Sequence, residues 1–280
     1  MNKAFLFPGQ GSQTSGMGSK LFPQFPDLVD EVNGVLGYSI IELCEKEDGS
    51  ELNCTNFTQP ALYVVSCMEA MYQISNEQIP SFAAGHSVGE FAALQAAGVF
   101  SFSDGLQMVA KRGEIMSKVS GGGMAAVIGM EGDAISSILI EQGADEIDLA
   151  NFNSPGQIVI SGPDSQIKQV LKPIKDAGAR MVVPLQVSGA FHSRMMHEPA
   201  KEFAKFLQNF SFSEPSFPVF SNVEAMPYSS PEVIPDLLIR QIFSPVRWTE
   251  VIQGLRAGGA EEFIECGPGQ VLSKLLRKIP

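Results

Sequence analysis

Basic side chains are in short supply in this chain: 19 Lys and Arg stand against 31 Asp and Glu, for a net charge of −12. That balance excludes nucleic acid as a natural partner, because phosphate backbones are met by basic surfaces. An anionic ligand gains nothing from the overall field and must find a local cation. Cysteine is also sparse. Cys44, Cys54, Cys67 and Cys266 show no C-x-x-C spacing, so reduced thiols are expected rather than a metal site or a disulfide framework. No apolar run approaches the length of a membrane span. The leading segment Met1 to Phe7 is too short for the apolar core of a signal peptide and stops at Pro8-Gly9-Gln10-Gly11. It reads as a buried first strand, and a cytoplasmic protein is expected. Internal repeats and low-complexity tracts are absent, and there are only three histidines, His86, His192 and His197.

What the chain does have is apolar bulk. Of its 280 residues, 44% are hydrophobic and 18% charged, which suits a globular protein large enough to carry a second lobe. The stretch Phe82-Ala83-Ala84-Gly85-His86-Ser87-Val88-Gly89-Glu90-Phe91 organises the rest. Gly85-x-Ser87-x-Gly89 is the pattern of a nucleophile elbow, a sharp strand-to-helix turn that holds a serine hydroxyl clear of the backbone. Glycine is needed at the flanking positions, where side chains would meet the strand or the helix. Backbone N–H groups at the helix start can then receive an oxyanion. The same residues, Ser87 to Glu90, also fit S-x-x-E, a helix capping box. The motif alone does not choose between the two.

Along the chain, Ala4 to Phe7 reads as a strand ending in the turn Pro8 to Gln13, which lacks the Gly-Lys-Ser/Thr of a P-loop. Such a turn is either a plain loop or a set of N–H groups at the carboxyl edge of a sheet, where α/β sites form. Leu28 to Val35 and Ile40 to Cys44 read as short helices, and Glu45 to Cys54 as a polar loop. Thr58-Gln59-Pro60 reads as the start of a core helix reaching Ser75, with Pro60 in its first turn and Leu62, Val65, Met68 and Tyr72 on its apolar face. Gln59, ahead of that helix, can point into a site. A helix carrying Arg112 is expected from Ser103 to Val119. Gly121-Gly122-Gly123 marks a hinge. Beyond it the order β-α-β-β-α-β, ending near Ser188, is that of a ferredoxin-like insert. The chain then returns to its main lobe, with a helix over Met195 to Phe210, a strand over Pro218 to Val223, helices over Ile234 to Gln241 and Trp248 to Ala257, a strand over Glu262 to Glu265 and a last helix over Val271 to Ile279.

A serine nucleophile needs a base. His86 adjoins Ser87 and shares the elbow's geometry, which keeps it from reaching round. His192 lies where the chain leaves the insert, at a junction that favours a cleft, and is preferred to His197 on the following helix. No Asp or Glu has an obvious claim to orient the imidazole. A backbone carbonyl accepting the Nδ1–H can do the same work.

Along nearly its full length the chain resembles the malonyl-CoA:acyl carrier protein transacylases. The matching segments are Phe7-Pro8-Gly9-Gln10-Gly11-Ser12-Gln13, Gln59-Pro60-Ala61-Leu62, Gly85-His86-Ser87-Val88-Gly89-Glu90, Lys111-Arg112-Gly113, Asn151 to Gln157, Phe191-His192-Ser193, Ser244 to Trp248 and Glu265-Cys266-Gly267-Pro268-Gly269, in the family's order. The resemblance implies an α/β fold: an α/β-hydrolase-like subdomain with a parallel sheet (residues 1–122 and 189–280) and an inserted ferredoxin-like subdomain (residues 123–188). It implies ping-pong transfer. Ser87 attacks the malonyl thioester, CoA leaves, and a carrier protein's phosphopantetheine thiol collects the group. No permanently bound cofactor is expected, since malonyl-CoA is substrate and phosphopantetheine belongs to the partner. By the same resemblance His192 is base and then acid, the Gln241 main-chain carbonyl orients it, the N–H groups of Gln10 and Val88 form the oxyanion hole, Arg112 binds the malonyl carboxylate and Gln59 lines the pocket. A guanidinium grips a carboxylate bidentately, which suits that task in a dry site.

Two features narrow the subclass. Gly-Ala-Phe-His resembles the malonyl-selective form of polyketide acyltransferases, in which the bulk of Phe191 would exclude a methyl branch with a discrimination of roughly 1–3 kcal/mol. In a free-standing chain, Gly189 to Arg194 resembles the discrete acyltransferases that load the carrier domains of modular polyketide synthases in trans. Housekeeping fatty-acid enzymes more often have Pro-Ser-His here and Leu where this chain has Val88. The alternatives are that housekeeping role or an acyl hydrolase clearing stalled carrier proteins. A monomer is expected, with the tidy ends at Met1 and Pro280 pointing to a discrete domain. Weak contacts to anionic CoA and carrier proteins are expected through Lys111, Arg180, Arg194, Lys201 and Lys274.

Overall fold

A computed structural model describes residues 1–46 and 49–280. The elements, in chain order, are β1 (Lys3–Phe7), α1 (Pro26–Leu36), α2 (Ile40–Glu45), α3 (Thr55–Ser75), β2 (Phe82–Gly85), α4 (Gly89–Ala96), α5 (Phe102–Ser117), β3 (Gly122–Ile128), α6 (Gly132–Glu141), β4 (Asp148–Ser154), β5 (Gln157–Pro163), α7 (Asp164–Asp176), β6 (Met181–Pro184), α8 (His197–Leu207), β7 (Val219–Phe220), α9 (Ile234–Gln241), α10 (Trp248–Ala257), β8 (Glu262–Glu265) and α11 (Val271–Leu276). Of the polar loop expected over Glu45 to Cys54, Glu47 and Asp48 lie outside the described residues. No helix among the described residues is long and apolar enough to cross a membrane.

Two sheets organise these elements. The first is parallel, in the order β7-β2-β1-β8. Ala4, Phe5, Leu6 and Phe7 are all buried, as expected for a strand covered on both faces. Phe7 pairs with Gly85. The loop after β1 and the elbow after β2 therefore leave the sheet side by side at its carboxyl edge, where α/β folds place their sites.

The second sheet is antiparallel, in the order β4-β5-β3-β6. Its first strand in sequence lies between the third and fourth, the ferredoxin-like order that the sequence pattern implies. Its faces have different partners. Ala125, Val127, Ile158 and Ile160 pack with Ile135, Leu139 and Val170 of the two helices α6 and α7. Met124, Ala150 and Val159 instead join the main core with Phe191 and Met196, so alternation along the strands decides which core each side chain enters. Backbone bonds between Phe152 and Val246 and between Val246 and Ala150, each 2.9 Å, tie the second sheet to the loop before α10.

Several boundaries depart from the sequence expectations. Helix α3 begins at Thr55, a turn before Gln59, so Gln59 is helical and Pro60 lies inside the helix rather than in its first turn. The N-cap, Cys54, makes no side-chain capping bond, which leaves the true start without a sequence signal. Tyr72, read as core, is 37% exposed. Gly122 and Gly123, read as hinge, already pair with Pro163 and Gly162 in β3. Strand β7 is only two residues long, because Ser221 turns back to Met226.

The elbow's glycines are required by contact. A Cβ on Gly85 would lie 1.9 Å from the Gly89 carbonyl carbon, and one on Gly89 would lie 2.2 Å from the Phe7 oxygen. Both obstacles are backbone. Gly89→Ala is expected to destabilise by about 3 kcal/mol or more, a fall in Tm of roughly 6–12 °C. Gly34→Ala, with nothing near its added methyl, should be neutral or stabilising by up to about 1 kcal/mol. Equal melting temperatures for the two variants would contradict the packing account.

Candidate active site

Ser87 occupies the turn between β2 and α4 with φ 53°, and His192 has φ 56°. Side chains other than glycine rarely adopt this region, and each such residue costs about 1–3 kcal/mol unless its surroundings enforce it. The surroundings do. Ser87 N–H donates to Asn222 Oδ1 at 2.7 Å, and Gln241 Nε2 donates to the Ser87 carbonyl at 2.9 Å. His192 N–H donates to the Ile242 carbonyl at 3.1 Å.

The two strained residues face each other. Ser87 Oγ lies 2.8 Å from His192 Nε2, and His192 Nδ1 lies 2.8 Å from the main-chain oxygen of Gln241. That carbonyl only accepts, so Nδ1 carries the proton and Nε2 is free to take one from the serine. Burial, then the nearby Arg112 charge, pushes the His192 pKa down to about 3, which keeps the ring neutral. The hydroxyl thus engages the imidazole instead of capping α4, and the carboxylate of Glu90 turns elsewhere.

Arg112, on α5, is 1% exposed. Its Nη1 donates to Gln59 Oε1 at 2.7 Å, and its Nη2 to Gln241 Oε1 at 2.9 Å and to Ser87 Oγ at 3.2 Å. Three of the five guanidinium N–H groups are therefore used, and Nε has no partner among the described residues. Burial lowers its pKa to about 10, so it stays a cation, while the Glu90 charge opposes that fall. The guanidinium also sits 5.9 Å from the centre of the Phe91 ring.

Gln10, Gln59, Ser87, Val88, Arg112, Phe191 and His192 line one cavity of about 80 Å³, with Met124 of β3 and Leu185 and Val187, which follow β6, closing one side. Anything larger than a short acyl group must extend out of its mouth. The amides of Gln10 and Val88 donate to no protein acceptor among the described residues. Gly9 lets the loop before Gln10 approach, since a Cβ there would meet the His86 oxygen at 2.5 Å. His86 also borders the cavity but bonds elsewhere than to the Ser87 hydroxyl, its Nε2 2.8 Å from Asn153 Oδ1 and its ring 5.5 Å from that of Trp248. His197 is exposed on α8, against Phe243. Every site residue expected from the sequence is thus brought to one place.

Residues 4–278 match the acyl transferase domain family. The chain belongs to that family. BaeC of Bacillus velezensis, a polyketide biosynthesis malonyl CoA-acyl carrier protein transacylase, is 50% identical over 98% of this chain and 96% of its own length. ThaF of Burkholderia thailandensis, a polyketide biosynthesis protein, is 47% identical over 99% of this chain, which spans only 24% of ThaF. The crystal structure of a malonyl CoA-acyl carrier protein transacylase from Burkholderia pseudomallei superposes with a TM-score of 0.96 at 44% identity, covering 100% of this chain and 98% of that one.

This acyl transferase holds three further residues in the site that the sequence did not single out. Asn222 and Tyr228 follow β7, and Glu90 had only the capping reading. Asn222 Nδ2 donates to the Gly85 carbonyl at 2.6 Å, so one side chain grips the elbow from both ends. No local pattern could flag a partner 135 residues away. Three of the five basic residues expected to meet anionic partners carry ion pairs. Lys111 pairs with Glu114 and Glu202, Arg194 with Asp148 and Lys201 with Glu198. On so acidic a surface carboxylates reach most cations first. Arg180 and Lys274 alone of the five have no ion-pair partner among the described residues.

Asn222→Ala takes the Asn222 partner from the part-buried Ser87 N–H and from the buried Gly85 carbonyl, at a cost of about 1–3 kcal/mol for the latter and less for the former. The expected result is a Tm lower by about 4 °C or more and slower labelling of Ser87 by a fluorophosphonate. Parent-like values for both would remove Asn222 from its role as the elbow's clamp.

Proposed function

We propose that this acyl transferase moves a malonyl group from malonyl-CoA to the phosphopantetheine thiol of an acyl carrier protein through an acyl-Ser87 intermediate. One observation carries the reading: Arg112 Nη2 and His192 Nε2 both touch Ser87 Oγ, at 3.2 and 2.8 Å. A base and a carboxylate-binding cation thus meet at one nucleophile. His192 takes the Ser87 proton as Oγ attacks the thioester carbon, and the N–H groups of Gln10 and Val88 receive the oxyanion. Collapse expels CoA as its thiol, with the proton returned from His192. The carrier's thiol then gives its proton to His192 and attacks the acyl-serine, and Ser87 leaves with that proton. Neutral His192 is the form that each attack requires, and the main-chain carbonyl of Gln241 holds its tautomer.

Arg112 supplies the selectivity. Its remaining donors, Nε–H among them, would take the malonyl carboxylate as a charge-assisted pair. A hydrolase of uncharged acyl groups has no use for a guanidinium buried in this way, which disfavours the hydrolytic alternative. The names of BaeC and ThaF support supply of extender units to a polyketide synthase rather than to fatty-acid synthesis. Phe191, 6% exposed in the cavity wall beside His192, would stand against a branched α-carbon in that setting.

The reading is tested by intact-mass analysis of a carrier protein incubated with malonyl-, methylmalonyl- and acetyl-CoA. Malonyl loading is expected with the parent chain and none with Ser87→Ala. Arg112→Ala should lose malonyl transfer by about a hundredfold, the scale of a lost charge-assisted bond, while acetyl transfer persists. Phe191→Ala should raise methylmalonyl loading by roughly tenfold or more. Parent-like malonyl transfer by Arg112→Ala would sink the carboxylate clamp.

A further inference from the structure

We infer that Glu90 is the positioning residue of this site: as a carboxylate it fixes which way the Gln241 side-chain amide faces, and through that amide it aims Arg112 at the substrate's carboxylate and balances its charge. The inference rests on the malonyl-transfer reading.

Arg112 only donates, so the Gln241 atom 2.9 Å from its Nη2 must be the oxygen. Gln241 Nε2 is thereby turned to the Ser87 carbonyl at 2.9 Å and to Glu90 Oε2 at 2.5 Å. On its other side, Glu90 Oε1 accepts from the Tyr228 hydroxyl at 2.5 Å and from Asn222 N–H at 3.2 Å. As placed, each group facing Glu90 donates, the Asn222 N–H and the Gln241 amide nitrogen being unable to do otherwise, and the ionised form is the one that accepts from all three. With Glu90 1% exposed and Gln241 0% exposed, water does not substitute for a missing partner.

Protonation of Oε2 sets an O–H against the Gln241 N–H groups. An amide that offers its oxygen to that O–H must give up the Ser87 carbonyl and set its N–H groups against the Arg112 guanidinium, donor against donor, so protonation of Glu90 loosens the hold of Gln241 on Arg112. Arg112 loses the contact that holds it over Ser87. The charged and titratable groups that face Glu90 are Arg112 from α5 and Tyr228 from the loop after β7; α9 and the turn at Asn222 present neutral donors. Burial pushes the Glu90 pKa up to about 7, against the pull of Tyr228, Gln241, Asn222 and the Arg112 charge. That places the change of state near neutral pH. His192, held down at about 3, does not titrate in the same range.

The test is the ratio of malonyl to acetyl transfer onto a carrier protein between about pH 5 and pH 8. Both CoA donors carry the same phosphates, so their titration cancels. In the parent the ratio should fall by about tenfold per pH unit below the Glu90 titration. In Glu90→Gln the ratio should be low and flat, and Glu90→Asp, which keeps the charge, should recover part of the ratio and its pH dependence. Fluorophosphonate labelling of Ser87 reports that each variant is folded. If Glu90→Gln does not fold, Tyr228→Phe carries the test, since loss of one donor to the anion should move the fall in ratio upward by about one pH unit. A parent ratio independent of pH, a Glu90→Gln ratio equal to the parent's, or an unmoved Tyr228→Phe profile overturns the inference. Failure of the parent to take malonyl onto Ser87 is a different result and overturns the transfer reading instead.

Discussion

One buried cation sets the polarity of everything around it. Arg112 cannot accept a hydrogen bond and cannot shed its charge at neutral pH, so its neighbours must present oxygen. Gln59 and Gln241 do so with side-chain carbonyls, and Ser87 does so with its hydroxyl. From Gln241 the ordering continues to Glu90, Tyr228 and Asn222. Removing water from such a charge is costly. The chain meets part of that cost with three acceptors and one nearby carboxylate rather than with a direct ion pair, leaving donors for an anionic ligand.

Ser87 depends on remote segments to the same degree. Ser87 is held in a left-handed conformation by glycines in its own turn, by Asn222 from beyond β7 and by Gln241 from α9. His192 takes the same conformation and receives its orientation from the Gln241 main chain. Gln241 thus serves with both its backbone and its side chain. Because the strain at Ser87 and His192 is enforced by packed, 0% exposed partners such as Asn222 and Gln241, the site is fixed before any substrate arrives, which is what electrostatic stabilisation requires.

Much of this was legible in the sequence, and the reasons are specific. Gly85-x-Ser87-x-Gly89 announced itself because backbone contact forbids other residues. The ferredoxin-like insert was visible because apolar alternation and turn residues are local signals. The roles expected of Arg112, Gln10 and the Gln241 carbonyl came from resemblance, not from spacing. What stayed hidden shares one cause. Asn222, Tyr228 and Glu90 act through partners more than a hundred residues away, and a buried carboxylate looks in sequence like any helix-capping Glu. The start of α3 was missed since Thr58 and Pro60 imitate a helix start one turn too late. Sequence also counts charges without showing which are paired, as Lys111, Arg194 and Lys201 are.

The account stands on Ser87 as the atom that carries the acyl group. Its most direct measurement is peptide mapping by mass spectrometry of the chain mixed with malonyl-CoA alone and quenched in acid. The account predicts a malonyl ester on the peptide that contains Ser87, discharged when carrier protein is added before the quench. A chain that stays unmodified, or one that carries malonyl on the exposed Cys54 in place of Ser87, would contradict it.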